Sequence, residues 1–323
     1  AGYYGVEGMG VTATYCSLIF TLLIYATIIQ KSRNLYLRKA HEISFFDYLR
    51  GIGHLTTILI GVYLVSVIIS GDRGPLISFG LLYFSGYFFV TKRKLSFKYL
   101  VVFVASGAFF ISLLGIARSF EKEMSFTQRI STSLSKVDDK RVSFSPQTKE
   151  LAGSIRALHS TVNYIPNRHE HLYGWFQVQN VITSVPFVNY FTSNLLDYNH
   201  FRYNSSASFV TWINQGEFPT SGDGTTCVAD FYFDFGLLGV VFGMMFFGYI
   251  IRYAEFVMYA REFPTLFAHI FAVVYLGSAL YLSRSAVLFE LKTVVWVFII
   301  LWVNARMFHL KAKRTGTSSR MYL

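Results

Sequence analysis

The sequence predicts an all-α, polytopic membrane helix bundle with a large, mostly helical extracytoplasmic segment between its fourth and fifth spans. Three observations predict it. Of 323 residues, 53% are hydrophobic and 18% aromatic, while 15% are charged. A soluble chain of this length carries about 25% charged residues, so this one lacks the polar surface to cover itself in water. Seven stretches are apolar and long enough to cross about 30 Å of hydrocarbon. Basic residues gather in alternate connections between those stretches, as the orientation of membrane helices requires. The same composition excludes disordered and collagen-like classes, and two cysteines, Cys16 and Cys227, make no disulfide framework.

The spans follow in order. The first is expected near 9–30, and its trailing connection holds Lys31, Arg33, Arg38, Lys39 and Arg50. The second, near 52–70, ends in the short Gly71–Gly74 turn. The third, near 74–90, is followed by Lys92, Arg93, Lys94 and Lys98, and the fourth lies near 99–117. Beyond the long 118–235 segment come the fifth span near 236–258, the sixth near 264–282 and the seventh near 286–308. Arg252 and Arg261 follow the fifth, and Lys311, Lys313, Arg314 and Arg320 follow the seventh. All four basic groups fall on one side, which is the cytoplasm by the positive-inside rule. Three parts result: spans one to four over 1–117, the extracytoplasmic segment over 118–235, and spans five to seven with a basic tail over 236–323. The chain opens at Ala1 with no charged signal region, so an N-terminal portion is expected to precede it.

A net charge of +11 raises a nucleic-acid reading that its distribution removes. Residues 118–235 carry 10 basic against 11 acidic residues, leaving 19 basic and 7 acidic elsewhere. The excess charge therefore sits in membrane connections, and no basic face of a folded domain is left to bind nucleic acid.

The 118–235 segment is too long for a structureless loop. Residues 121–149 read as a solvated polar piece. Over 150–163, Leu151, Ile155, Leu158 and Val162 form an apolar stripe at helical spacing, opposite a polar stripe of Arg156, His159 and Asn163. Residues 172–198, aromatic and interrupted by Pro186, read as interfacial or dipping into the bilayer.

Several residues are candidates for chemistry. Arg73 and Arg284 occupy very short external turns, where arginine is disfavoured, and Arg118 ends the fourth span. Such arginines either snorkel to the interface or ring an anionic headgroup, which the planar guanidinium binds bidentately. Asp230 and Asp234 lie four apart and project from one helical face; each is either favoured there by the helix dipole or serves as a base or sugar-orienting group. Gly236, Gly239 and Gly243 form a small-residue face, read as close helix packing. Glu290 and Lys292 lie inside the seventh span and read as an ion pair or as lining of a polar cavity. His169-Glu170-His171 matches no standard zinc spacing, and neither a metal nor a cofactor is expected. No GxGxxG, Walker loop, GxSxG or HExxH occurs, so any chemistry uses an already activated substrate.

Five pieces in order resemble the Wzy-type oligosaccharide repeat-unit polymerases of O-antigen and capsule assembly. They are the Gly-Asp-Arg-Gly turn at 71–74, the Leu151–His159 helix, the Ser205–Trp212 segment, the Gly222–Gly239 stretch and the Ser-Arg turn at 283–284. The resemblance implies a GT-C-like membrane glycosyltransferase in the bacterial inner membrane. It would join undecaprenyl-pyrophosphate-linked units, as both donor and acceptor, on the periplasmic face, with a chain-length regulator as a possible partner. Under it, Arg73, Arg118, Arg156 and Arg284 are candidates to hold pyrophosphate, and His159, His200 and Asp230 to act as base. The Arg-x10-Gly pattern of some members falls here at Arg50 and Gly61 on the cytoplasmic side, so no site assignment is taken from it. An O-antigen-ligase-like transferase shares the donor, and Glu290 with Lys292 would suit a lipid or solute transporter. A seven-span receptor reading lacks an Asp-Arg-Tyr or Asn-Pro-x-x-Tyr motif.

Overall fold

A computed structural model describes residues 11–38, 42–70, 74–93, 146–185, 188, 201–219, 222–260 and 264–314. Among them are ten α-helices, one short 3-10 helix and no strand. The helices are α1 Val11–Leu37, α2 Phe45–Ile52, α3 His54–Ser70, α4 Gly74–Thr91, α5 Pro146–Tyr164 and α6 Trp175–Ser184. After the 3-10 turn Phe201–Tyr203 come α7 Ser206–Gln215, α8 Cys227–Tyr259, α9 Leu266–Leu282 and α10 Leu291–Arg314. Helices therefore lie over six of the seven predicted stretches. The fourth, 99–117, lies outside the described residues, as does 121–145.

By length and apolar content, α8 alone among the described helices is sufficient to cross a bilayer. Helix α2 and residues His54–Val65 pass the same test only as a pair bent by 96°, and α4 and α9 contain shorter apolar stretches. Helix α2 sits inside what the sequence marked as a basic connection. Its N-cap Ser44 accepts from the Asp47 N–H at 3.1 Å, and its Tyr48 is fully buried with its hydroxyl 2.8 Å from that of Ser32.

Two apolar cores form. The larger joins α1, α4, α8, α9 and α10 through residues such as Ile28, Phe79, Phe89, Val273, Tyr275 and Val297. The smaller gathers Ala157 and Ile165, Phe176 of α6, Phe209 and Val210 of α7, and Ala229 and Phe233 of α8. Its centre is aromatic: Phe209 and Phe233 meet edge-to-face at 5.1 Å, and Phe176 and Phe233 at 5.6 Å.

The buried face of α5 differs from the expected stripe. Ile155 is 68% exposed and Val162 42%, while Ala157 and Thr161 are buried. The aromatic cluster needs a small side chain for close approach, which Ala157 supplies, and the Thr161 hydroxyl is satisfied by the Ala157 carbonyl at 2.8 Å. The polar stripe is as expected: Arg156, His159 and Asn163 are exposed together.

Helix α8 joins the two cores. It is broken at Phe235 (φ −139°, ψ 15°) and Gly236 (φ 62°, ψ −148°). The break separates the polar turns of Cys227–Asp234 from the apolar length that follows. In those first turns three i,i+4 pairs divide the work. Cys227 and Phe231 enter the larger core, and Ala229 and Phe233 enter the smaller one. Asp230 and Asp234 face α6.

Candidate functional site

The site grows from the break in α8. Interrupting a helix frees carbonyls that would have bonded four residues on. Here the Phe233 and Asp234 carbonyls accept instead from the Leu172 and Tyr173 N–H groups, each at 2.9 Å. The turn at 172–174 then delivers α6 to the acidic face of α8. Gly174 is the N-cap of α6 and has no side chain to offer its free N–H groups. Asp234 fills that role from another helix, accepting from the Phe176 and Gln177 N–H groups at 3.2 Å each. The helix dipole favours the expected negative charge, but at the N-terminus of α6.

Asp230 is fully buried, and its carboxylate accepts from the Gln177 side-chain amide at 2.8 Å. Burial pushes this carboxyl up to about 6; the Ser206 and Gln177 side chains hold it partly back, and the Asp234 charge adds to the rise. Asp234 is also raised by burial, against the lowering effect of the Phe176 and Gln177 N–H groups.

A cavity of about 560 Å³ lies at the break. Its polar lining is His171, Tyr173, Gln177 and Asp234. Its apolar lining includes Phe235, Leu238, Phe242 and Phe246 of α8 and Leu288 of the turn before α10. Leu238 and Phe242 are 71% and 66% exposed, so the apolar wall continues onto the outer face of α8. A mostly apolar cavity with these few polar groups, open along an apolar helix, suits a largely apolar molecule that carries a polar group. Tyr173 sits at φ 49°, an uncommon conformation for a non-glycine residue.

The glycine face serves this break rather than a second helix. A Cβ at Gly239 would come within 2.6 Å of the Phe231 carbonyl oxygen, and one at Gly243 would collide with the Phe231 ring. The helix thus folds its own first turns onto its glycines. Gly236 carries the backbone conformation of the break and receives the His171 ring.

Four of the seven sequence-predicted site residues are described. Asp230 lies beneath Gln177 and does not line the cavity. Arg156, exposed on α5, pairs with Asp223, whose carboxylate also accepts from Asn214 at 2.9 Å and Gln215 at 3.3 Å. His159, on the same face, meets the Asn163 amide at 3.2 Å. Arg284 is exposed on a turn pinned to the start of α8, where the Cys227 N–H donates to the Ser283 carbonyl at 3.5 Å. That turn continues to Leu288 of the cavity. Arg73, Arg118 and His200 lie outside the described residues. Arg156 and His159 share a face, but neither touches the cavity that Leu288 and Asp234 line.

Sequence reasoning missed Gln177, Tyr173 and His171. The His169-Glu170-His171 run was legible, but as a metal question only. His169 meets the Tyr203 hydroxyl at 3.1 Å and the Glu170 carbonyl at 2.7 Å, while His171 turns to the break in α8. Among the described residues no three of His, Cys, Asp or Glu gather as a metal site. Glu290 is buried near Ser278 and Thr293. Arg202 was also missed; it stacks on Tyr203 and Trp212 at 4.8 Å each.

The family profile of O-antigen polysaccharide polymerase Wzy matches residues 36–311. No curated protein and no solved structure matches the chain at a significant level. The matched span includes the broken helix α8, the cavity, the smaller core and the larger core apart from its buried α1 residues. The chain belongs to the Wzy family of O-antigen polysaccharide polymerases, integral inner-membrane proteins that act on lipid-linked oligosaccharide repeat units.

Proposed function

We propose that the protein joins undecaprenyl-pyrophosphate-linked oligosaccharide units into O-antigen or capsular polymer at the periplasmic face, and that the cavity at the α8 break receives the lipid-linked end. The observation that carries this reading is the division of the cavity: His171, Tyr173, Gln177 and Asp234 line one part, and the lipid-compatible face of Leu238, Phe242 and Phe246 continues outward along α8. The sugar and the polyprenyl chain have the same division. The pyrophosphate leaves with growing negative charge, which guanidinium groups stabilise without proton exchange. Arg284, on the turn that also supplies Leu288, stands nearest in the chain to the cavity. Arg73, Arg118 and Arg156 complete the proposed set, and the transfer is metal-independent.

The test is polymer formation by purified protein in liposomes from undecaprenyl-pyrophosphate-linked units extracted from a deletion strain. A ladder of increasing length, unchanged in excess EDTA, is expected. Transfer of preformed polymer to a different acceptor, with no ladder, would replace this reading by the ligase-like one. Loss of the ladder in EDTA with recovery in Mg²⁺ would overturn the metal-independent part alone.

A further inference from the structure

Resting on that reading, we infer that His171 is the catalytic base of the transfer. It takes the proton of the acceptor sugar hydroxyl as that oxygen forms its bond to the donor's anomeric carbon. The bond between that carbon and the pyrophosphate oxygen breaks, and the pyrophosphate leaves with its electron pair. The proton stays on the imidazole until water removes it.

Four observations lead to this residue. His171 lines the cavity and is half-buried. No described residue donates to its ring or accepts from it, and its buried Nδ1 has no hydrogen-bond partner. Nδ1 is sealed from solvent, so Nε2, which has no protein partner among the described residues, is the nitrogen left for a bound molecule. The ring's position is fixed without polar contacts, by Tyr232 at 6.0 Å edge-to-face and by close approach to the Cα of Gly236. That approach is possible because the residue at the break has no Cβ.

The other basic groups are already committed. Asp234 also lines the cavity, but its two carboxylate oxygens hold the first N–H groups of α6. Asp230 is sealed behind Gln177. His169 has a partner at each ring nitrogen, and His159 faces Asn163 on an exposed helix outside the cavity. Tyr173 and Gln177 are not bases at neutral pH. The titratable groups around the His171 ring are Tyr173, Tyr232 and Asp234, with Asp230 beyond Gln177.

The experiment uses the full chain in liposomes with the same extracted undecaprenyl-pyrophosphate-linked units. Single-turnover rates and binding of the units are measured for the parent protein, His171→Gln and His171→Ala. Expected is a rate loss of about 10²–10⁴-fold in both variants, the range general-base catalysis supplies, with binding within threefold of the parent. Added imidazole should restore His171→Ala at least tenfold, which a packing role would not produce. The residual His171→Gln rate should lose the acidic limb of the parent's pH profile. Three results would overturn the inference and leave the proposed function standing: His171→Gln within threefold of the parent rate, loss of binding in step with loss of rate, or no imidazole rescue. A parent protein that forms no polymer from these units would overturn both.

Discussion

The side-chain amide of Gln177 donates to the Asp230 carboxylate at 2.8 Å, closing α6 over an acid that no solvent reaches. The main-chain N–H of the same residue donates to Asp234 at 3.2 Å. One glutamine thus ties together both acids of the α8 face and itself lines the cavity. The Gln177 carbonyl oxygen Oε1 is buried without a partner, so the amide is oriented through its NH2 group, toward the two acids.

Asp230 gives a pH dependence of stability. Burial pushes its carboxyl up to about 6, against an unfolded value of about 3.9. Between these values the native state holds a proton that the unfolded state has released. Stability therefore falls as pH rises from about 4 to about 6, and the loss persists above. Asp230→Asn, which still accepts from Gln177, should melt higher than the parent at pH 8, by on the order of 2 kcal/mol. The advantage should vanish below about pH 3, where the Asp230 carboxyl is protonated in both the native and the unfolded state. A lower melting temperature for Asp230→Asn at pH 8 would mean the charge itself is required.

Asp234→Ala should unfasten the start of α6. Removing a charged acceptor from two main-chain N–H groups costs about 2 kcal/mol. Amide hydrogen exchange read at Phe176 and Gln177 should rise well before exchange in α9. Equal protection in variant and parent would remove Asp234 from this role.

Gly236→Ala places a side chain at φ 62°, ψ −148°, a region open to glycine almost alone, and brings its Cβ within 3.0 Å of the His171 ring. A stability loss of about 1–3 kcal/mol is expected, together with loss of polymer. Gly248→Ala, on the same helix with open space around it, should be neutral or mildly stabilising. Similar melting temperatures for the two variants would show that the break is not under strain.

Arg284→Ala should abolish polymer while protein levels hold, and Arg284→Lys should recover little, because an ammonium cannot reproduce the planar fork. Arg156→Ala carries the same expectation for polymer, with a stability change below about 1 kcal/mol, since Arg156 itself is exposed and the nearly buried Asp223 keeps its bonds from Asn214 and Gln215. Immunoblots of polysaccharide length beside blots of the protein decide both.

Orientation is open to thiol labelling. With the exposed Cys16 replaced by Ser, a cysteine at the exposed Ser283 should react with an impermeant reagent in intact cells, and one at Arg252 should not. The reverse pattern would invert the assignment of faces.

Hydropathy and charge in the sequence determined the helices. Helices lie over the apolar runs at 9–30, 74–90, 264–282 and 286–308, although over the last the helix starts only at Leu291, after a turn. Backbone polar groups in an apolar run must be satisfied within the segment, so local composition decides the outcome. The i,i+4 spacing of Asp230 and Asp234 likewise fixed one shared face. Only the tertiary structure decided what that face meets. The break at Gly236 turns a pattern that reads as continuous helix into two directions, because a glycine at positive φ is invisible among glycines that merely pack closely. From the break follow the carbonyls offered to Leu172 and Tyr173, the capping of α6 by an acid 58 residues away, and the cavity itself. These contacts join residues far apart in the chain, and periodicity carries no information about partners beyond its own segment. His171 shows the limit most clearly: its neighbour His169 has the same side chain and nearly the same sequence context, and what separates them is the loop geometry that leaves one ring bonded on both sides and the other facing the cavity.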